Sequence, residues 1–133
     1  MSMRQEYRHN RHSISLVNYH LVWIPRRRRK VLVEQVKERL SELIFQKAKE
    51  LGVDVLALEI MPDHLHLFVN AVPDISICQL VFRIKGYTSR ILRQEFPHLK
   101  RMPSMWTSSY FVSTAGNVSN ETIRKYIEAQ SKK

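Results

Sequence analysis

The chain has 133 residues, 44% hydrophobic and 26% charged, the profile of one soluble globular domain with a single core. No apolar run approaches the roughly 18 residues of a membrane span, and the basic first dozen residues lack the apolar segment of a signal peptide. Lys and Arg outnumber Asp and Glu 22 to 12, and a net charge of +10 on so small a domain points to a polyanionic partner, the plain alternative being a soluble basic enzyme.

Residues 1–12 read as a basic tail ahead of one domain over 13–133. Residues 13–24, rich in Val, Ile, Tyr and Trp, predict a strand that ends at Pro25 and the run Arg26-Arg27-Arg28-Arg29-Lys30. Apolar residues at Val33, Val36, Leu40, Leu43, Ile44, Ala48 and Leu51 form a helical stripe, with Gly52 as its C-terminal stop. Residues 53–60 predict a second strand, and Met61-Pro62-Asp63 a tight turn into a third at His64-Leu65-His66-Leu67-Phe68-Val69. Pro73-Asp74 opens a second helix with a stripe through Ile77, Leu80, Val81, Ile84, Thr88, Ile91 and Leu92. A coil over 97–104 leads to a fourth strand over 108–114. Ala115-Gly116-Asn117 makes a hinge loop, and Ser119 caps a last helix with Glu121 in its first turn. The order β-α-β-β-α-β plus a helix is that of an α+β, ferredoxin-like (split βαβ) domain: a four-stranded antiparallel sheet with two helices on one face. The only cysteine, Cys78, excludes an internal disulfide and fits a reducing cytoplasm.

Side chains alternate across a strand, so His64 and His66 share one face and Leu65, Leu67 and Val69 the other. The leucine side is expected to meet the helices, leaving the imidazoles on the open face. Two imidazoles side by side are positioned to hold one metal ion, and Asp63 is placed to steer one of them from behind. Tyr126 and Gln130 are four apart in a helical pattern and so lie on one face. Two histidines and the Gln130 carboxamide make three neutral ligands, suited to Mn²⁺, Co²⁺, Ni²⁺ or Zn²⁺ at least as well as to Mg²⁺. A structural zinc site is disfavoured, since it wants four ligands. Tyr126 brings a phenol of pKa about 10, a better leaving group than an alkoxide once esterified. A tyrosyl phosphodiester conserves the bond energy for a later 3′-hydroxyl, which separates strand transfer from hydrolysis. Read alone, Tyr126 is better explained as a core tyrosine beside Ile123 and Ile127; the histidines shift that balance. Arg26, Arg27, Arg28, Arg29 and Lys30 could clamp phosphates, and Arg83, Lys85, Arg90 and Arg93 could contact a nucleic-acid backbone. Tyr7, Tyr19, Tyr87 and Tyr110 lack an amide at i+4 and read as packing or tail residues.

Four segments together resemble the single-tyrosine HUH transposases, small transposases of hairpin-ended bacterial and archaeal insertion sequences. They are Asn18-Tyr19-His20-Leu21-Val22-Trp23, Met61-Pro62-Asp63-His64-Leu65-His66, the stretch from Trp106 through Tyr110-Phe111-Val112-Ser113-Thr114, and Ile123-Arg124-Lys125-Tyr126-Ile127-Glu128-Ala129-Gln130. The resemblance spans about 13–130. It implies His64, His66 and Gln130 as ligands of a divalent metal, Mg²⁺ or Mn²⁺, and Tyr126 as a nucleophile left joined to a 5′-phosphate. It further implies a homodimer with composite active sites, acting on single-stranded DNA with hairpin ends in a prokaryotic cytoplasm, at the nucleoid. Gly116 would be the hinge that lets the tyrosine helix move. The chain stops seven residues after Tyr126, where longer members extend the helix. Competing readings are a domesticated relative acting on repetitive hairpins, a noncatalytic single-strand-binding module, and a metal-dependent phosphodiesterase using water.

Overall fold

The computed structural model describes Arg8–His9, Ile14–Ser15 and residues 18–70, 75–114 and 125–129. Its main elements are β1 (Asn18–Trp23), α1 (Glu34–Glu50), β2 (Asp54–Met61), β3 (His64–Asn70), α2 (Ile77–Glu95) and β4 (Phe111–Thr114). The sheet order is β2-β3-β1-β4 with every neighbouring pair antiparallel, the ferredoxin-like topology. Pairing Leu21 with Leu67 and Trp23 with Leu65 sets the register that turns all the core-facing residues of β1 and β3 the same way.

One face of the sheet carries the main core. Leu21, Trp23, Leu65, Leu67 and Val69 meet Leu40, Leu43 and Ile44 of α1 and Leu80, Val81 and Ile84 of α2, almost all without solvent contact. Each such aliphatic side chain contributes about 1.5–3 kcal/mol by leaving water. Trp23 and Trp106 meet edge to face at 6.1 Å, and the Trp106 indole N–H donates to Thr88 Oγ1 at 3.1 Å. Gly52 ends α1 at φ 73°, the left-handed region that a glycine enters without steric cost, while the Gly52 and Val53 N–H groups donate to the carbonyls of Lys49 and Ala48.

Three boundaries differ from the pattern in the sequence. The predicted first strand is divided: Ile14–Ser15 pairs with Arg8–His9 in a separate antiparallel ribbon, and the sheet strand begins only at Asn18. Arg8–His9 is thus engaged in backbone pairing inside the expected tail. Helix α2 starts from Ser76, whose hydroxyl accepts from the Gln79 N–H while the Gln79 side chain accepts from the Ser76 N–H. That reciprocal cap, not Pro73-Asp74, sets the helix start; residues 71–74 lie outside those described. Strand β4 begins at Phe111 instead of 108. Before it, the chain is held by a Pro25–Trp106 bridge, by the Thr107 N–H donating to the Ile24 carbonyl, and by the carbonyls of Thr107 and Ser109 accepting from a side chain of α2. Backbone groups satisfied that way cannot serve a ladder. The hinge loop with Gly116, and Ser119 and Glu121, lie outside the described residues.

Candidate active site

The β2–β3 turn is as short as a hairpin permits, since Met61 pairs with His64 and only Pro62 and Asp63 lie between. From there the strand alternation operates as expected. Leu65, Leu67 and Val69 are fully buried against the helices, and His64 and His66 emerge half-buried on the other face. Their rings lie edge to face with centroids 5.0 Å apart.

Each imidazole is held through Nδ1. His64 Nδ1 is 2.8 Å from Asp63 Oδ1, and because a carboxylate only accepts, the proton sits on Nδ1. Arg28 Nε donates to the other Asp63 oxygen at 3.2 Å and so fixes the carboxylate in turn. His66 Nδ1 is 3.0 Å from Nε2 of His20, a buried residue of β1. Burial lowers the pKa of both His66 and His20 below the usual histidine value; the neighbouring imidazoles reinforce this at His66, and Glu59 opposes it at both. Both rings therefore stay neutral at pH 7, the state in which an imidazole ligates.

Two imidazoles tethered at Nδ1 leave two Nε2 atoms as donors, which fits a divalent ion that takes few protein ligands and completes its shell elsewhere. Among the described residues no group of three or more His, Cys, Asp and Glu converges to form a closed cage. Gln130, the third expected ligand, lies outside the described residues.

Residues 125–129 are helical and rest on the same open face. Ile127 buries itself against Val22 and Ile24, and the Tyr126 ring packs beside Phe111 with centroids 5.8 Å apart. The phenol oxygen shares a hydrogen bond with Ser109 Oγ at 3.2 Å. Burial raises the Tyr126 pKa above its usual value, with the Ser109 hydroxyl partly opposing. Phe111 pairs with Val22, and Val22 with His66. The tyrosine thus sits over β4, two strand spacings from the histidine strand, on the order of 10 Å away. Among the described residues it makes no hydrogen bond to either histidine. Of the other tyrosines, Tyr19, Tyr87 and Tyr110 pack against the main core, and Tyr7 lies outside the described residues.

The basic residues divide by task. Arg26 donates to Ser104 Oγ and, through its backbone, to the Met105 carbonyl. Arg28 is committed to Asp63, whereas Arg27, Arg29 and Lys30 are exposed. Arg83 and Arg90 are exposed on α2, in the layer across the sheet from the histidines, with Arg90 over the Tyr87 ring. Arg93 donates to the Met102 carbonyl. Lys85 points inward: its ammonium donates to the carbonyls of Thr107 and Ser109 at 2.6 and 3.1 Å, and burial pulls its pKa down to about 8. It is a strut beneath the tyrosine's hydrogen-bond partner, not a phosphate contact. Sequence reasoning passed over His20 and Ser109. The one available signal for His20 was its place two residues before Val22 on the open face of β1.

Residues 13–130 match the family described as Transposase IS200 like. The ISDra2 transposase TnpA of Deinococcus radiodurans is 33% identical over 131 residues, covering 96% of this chain and 94% of that protein. The transposase for insertion sequence element IS200 of Salmonella typhimurium is 27% identical over 115 residues, covering 84% and 75%. A crystal structure assigned as a transposase from Deinococcus radiodurans R1 superposes with a TM-score of 0.86 at 35% identity, covering 92% of this chain and 97% of its own. A REP-associated tyrosine transposase bound to a REP hairpin shares the fold, with a TM-score of 0.54 at 15% identity over 92% of this chain and 69% of that one. A match over nearly the whole chain, a relative a third identical end to end, and one common sheet lead to a single conclusion: the chain belongs to the IS200-like transposase family and is a DNA-processing enzyme.

Proposed function

We propose that this transposase cleaves and rejoins single-stranded DNA at hairpin-flanked element ends, with Tyr126 as nucleophile and a divalent metal, Mg²⁺ or Mn²⁺, held by His64, His66 and Gln130. The observation that carries the reading is the pairing, on one open sheet face, of two imidazoles whose Nδ1 atoms are engaged with a docked helical segment that bears a tyrosine.

In the cleaving step the Tyr126 oxygen forms a bond to phosphorus as the P–O3′ bond breaks. The phenol proton is given up to solvent, and the departing 3′-oxygen takes one and leaves as a hydroxyl. Rejoining is the reverse, with a different 3′-hydroxyl attacking the phosphotyrosine. A bound divalent cation supplies positive charge that offsets the phosphate and lowers the cost of forming phenolate. Asp63 holds His64 in the tautomer that exposes Nε2. Ser109 donates to or accepts from the phenol and positions it at rest. Burial keeps that phenol protonated, so the resting tyrosine is unreactive over β4. It reaches a phosphate beside the histidines either by displacement of its segment or by serving the site of a second subunit. We assign the latter to the working homodimer that the family resemblance implies, with the segment that rests here on its own sheet face docking on the partner's in the cleaving state.

Single strands drawn from the hairpins that flank the gene, incubated with Mg²⁺ or Mn²⁺, are expected to yield denaturant-resistant protein–DNA adducts. Tyr126→Phe should form none while retaining hairpin binding. An adduct on that variant would assign the nucleophile to another tyrosine.

A further inference from the structure

The His20–His66 contact is not part of the ligand pair, yet its geometry is that of a designed support. Nε2 of His20 lies 3.0 Å from Nδ1 of His66, across 46 residues of chain. The two ring planes are inclined by 23°, with centroids 5.2 Å apart. On its other side His20 stacks on Phe68 at 4.1 Å and 10°, its direct cross-strand partner. With 5% exposure, the ring is clamped among neighbours and has little freedom to turn.

We infer that His20 is a positioning residue that accepts the Nδ1 proton of His66 and thereby turns the lone pair of His66 Nε2 toward the metal. The inference rests on the metal-site reading above. A neutral imidazole has one N–H and one lone pair, so the atom that donates to His20 decides which atom ligates. If His66 Nδ1–H donates, Nε2 is free for the metal. If His20 donates instead, His66 carries its proton on Nε2 and cannot ligate there. At His64 the same task falls to a carboxylate, Asp63, which can only accept. At His66 the supporting group is itself an imidazole, so its own proton must sit on Nδ1. The site thus supports its two ligands by two different chemistries.

The test uses the full chain, metal-free, with ¹⁵N-labelled histidine. In the wild type, imidazole ¹⁵N shifts and couplings at a pH where the rings are neutral should show His66 protonated at Nδ1. A His66 protonated at Nε2 overturns the inference, and this measurement needs no variant to fold. His20→Ala should yield a mixture of His66 tautomers and weaken Mn²⁺ binding, titrated by water-proton relaxation, by about 10–100-fold, as loss of a ligand's supporting hydrogen bond does. Gln places its amide oxygen where histidine has Nε2, and Asn falls short of it. His20→Gln should therefore restore Mn²⁺ affinity to within a few-fold of wild type, and His20→Asn should not. Equal affinity for the Ala variant and wild type, or equal rescue by Asn and Gln, overturns the inference, because a packing role would not distinguish amides by reach. His66→Ala separates the two readings. If it binds Mn²⁺ as the wild type does, the metal site itself falls. If it loses binding while His20→Ala does not, only the positioning role falls.

Discussion

Replacing Lys85 by methionine removes an ammonium that the sequence offers to DNA and the structure spends on the protein. Its Nζ reaches the carbonyls of Thr107 and Ser109 at 2.6 and 3.1 Å. Hydrogen bonds from a charged donor contribute about 1.5–3 kcal/mol each, so the pair is worth about 3–6 kcal/mol. Against this stands the cost of holding a cation in a half-buried position, on the order of 2–3 kcal/mol, which methionine avoids. The net expected loss is about 1–3 kcal/mol. For a chain of this length the unfolding entropy is roughly 0.28 kcal/mol/K, so Tm should fall by about 4–11 °C in a calorimetric scan near neutral pH. The gap should widen as pH rises. Burial holds the folded-state pKa at about 8, below the ordinary lysine value of 10.5. Between those values the unfolded chain binds more protons than the folded one, and wild-type stability rises with pH. The neutral amine still has two N–H bonds for its two carbonyls, so the strut persists without the charge. The methionine variant has no such gain. Salt dependence of DNA binding should be unchanged. A Tm within 1 °C of wild type would refute the strut, and a shallower salt slope would place Lys85 on phosphate.

Asp63→Ala should weaken Mn²⁺ binding by about 10–100-fold, because it strips His64 Nδ1 of its acceptor and frees Arg28; unchanged affinity in a metal titration would contradict that role. Neutralising the exposed Arg27 and Arg29 should reduce the slope of log affinity against log salt on single strands, by about 0.7 for each phosphate that then keeps its counterion. The same change at the committed Arg26 and Arg28 should cost stability first, read as Tm beside the binding isotherm. A His64→Ala/His66→Ala subunit mixed with a Tyr126→Phe subunit tests the composite site. If histidines and tyrosine come from different subunits, one site per mixed dimer is intact and an adduct forms only on the histidine-variant chain. No adduct after verified subunit exchange would place the cleaving tyrosine on the same chain as its histidines.

What the sequence alone determined is what depends on near neighbours. Strand alternation is a property of consecutive residues, so His64 and His66 on one face and Leu65 and Leu67 on the other were legible, as were the helical stripes of α1 and α2. The order of those elements carried the topology, because few ways exist to bury two stripes on one four-stranded sheet. The family was legible from motifs spread along the chain. Tertiary structure decided the rest, where partners are remote in sequence. Only the register of β1 against β3 brings His20 to His66. Only the path of residues 104–110 over α2 turns Lys85 from a surface cation into a strut and stops β4 from starting at 108. Charge is visible in a sequence, but its use is not: Arg28 is tied to Asp63 while Arg27 and Arg29 beside it are exposed, because a backbone turned through the left-handed region at Arg27 and Arg28 aims neighbouring side chains in different directions. Periodicity reports which face a residue occupies, and only long-range packing decides what waits there to meet it.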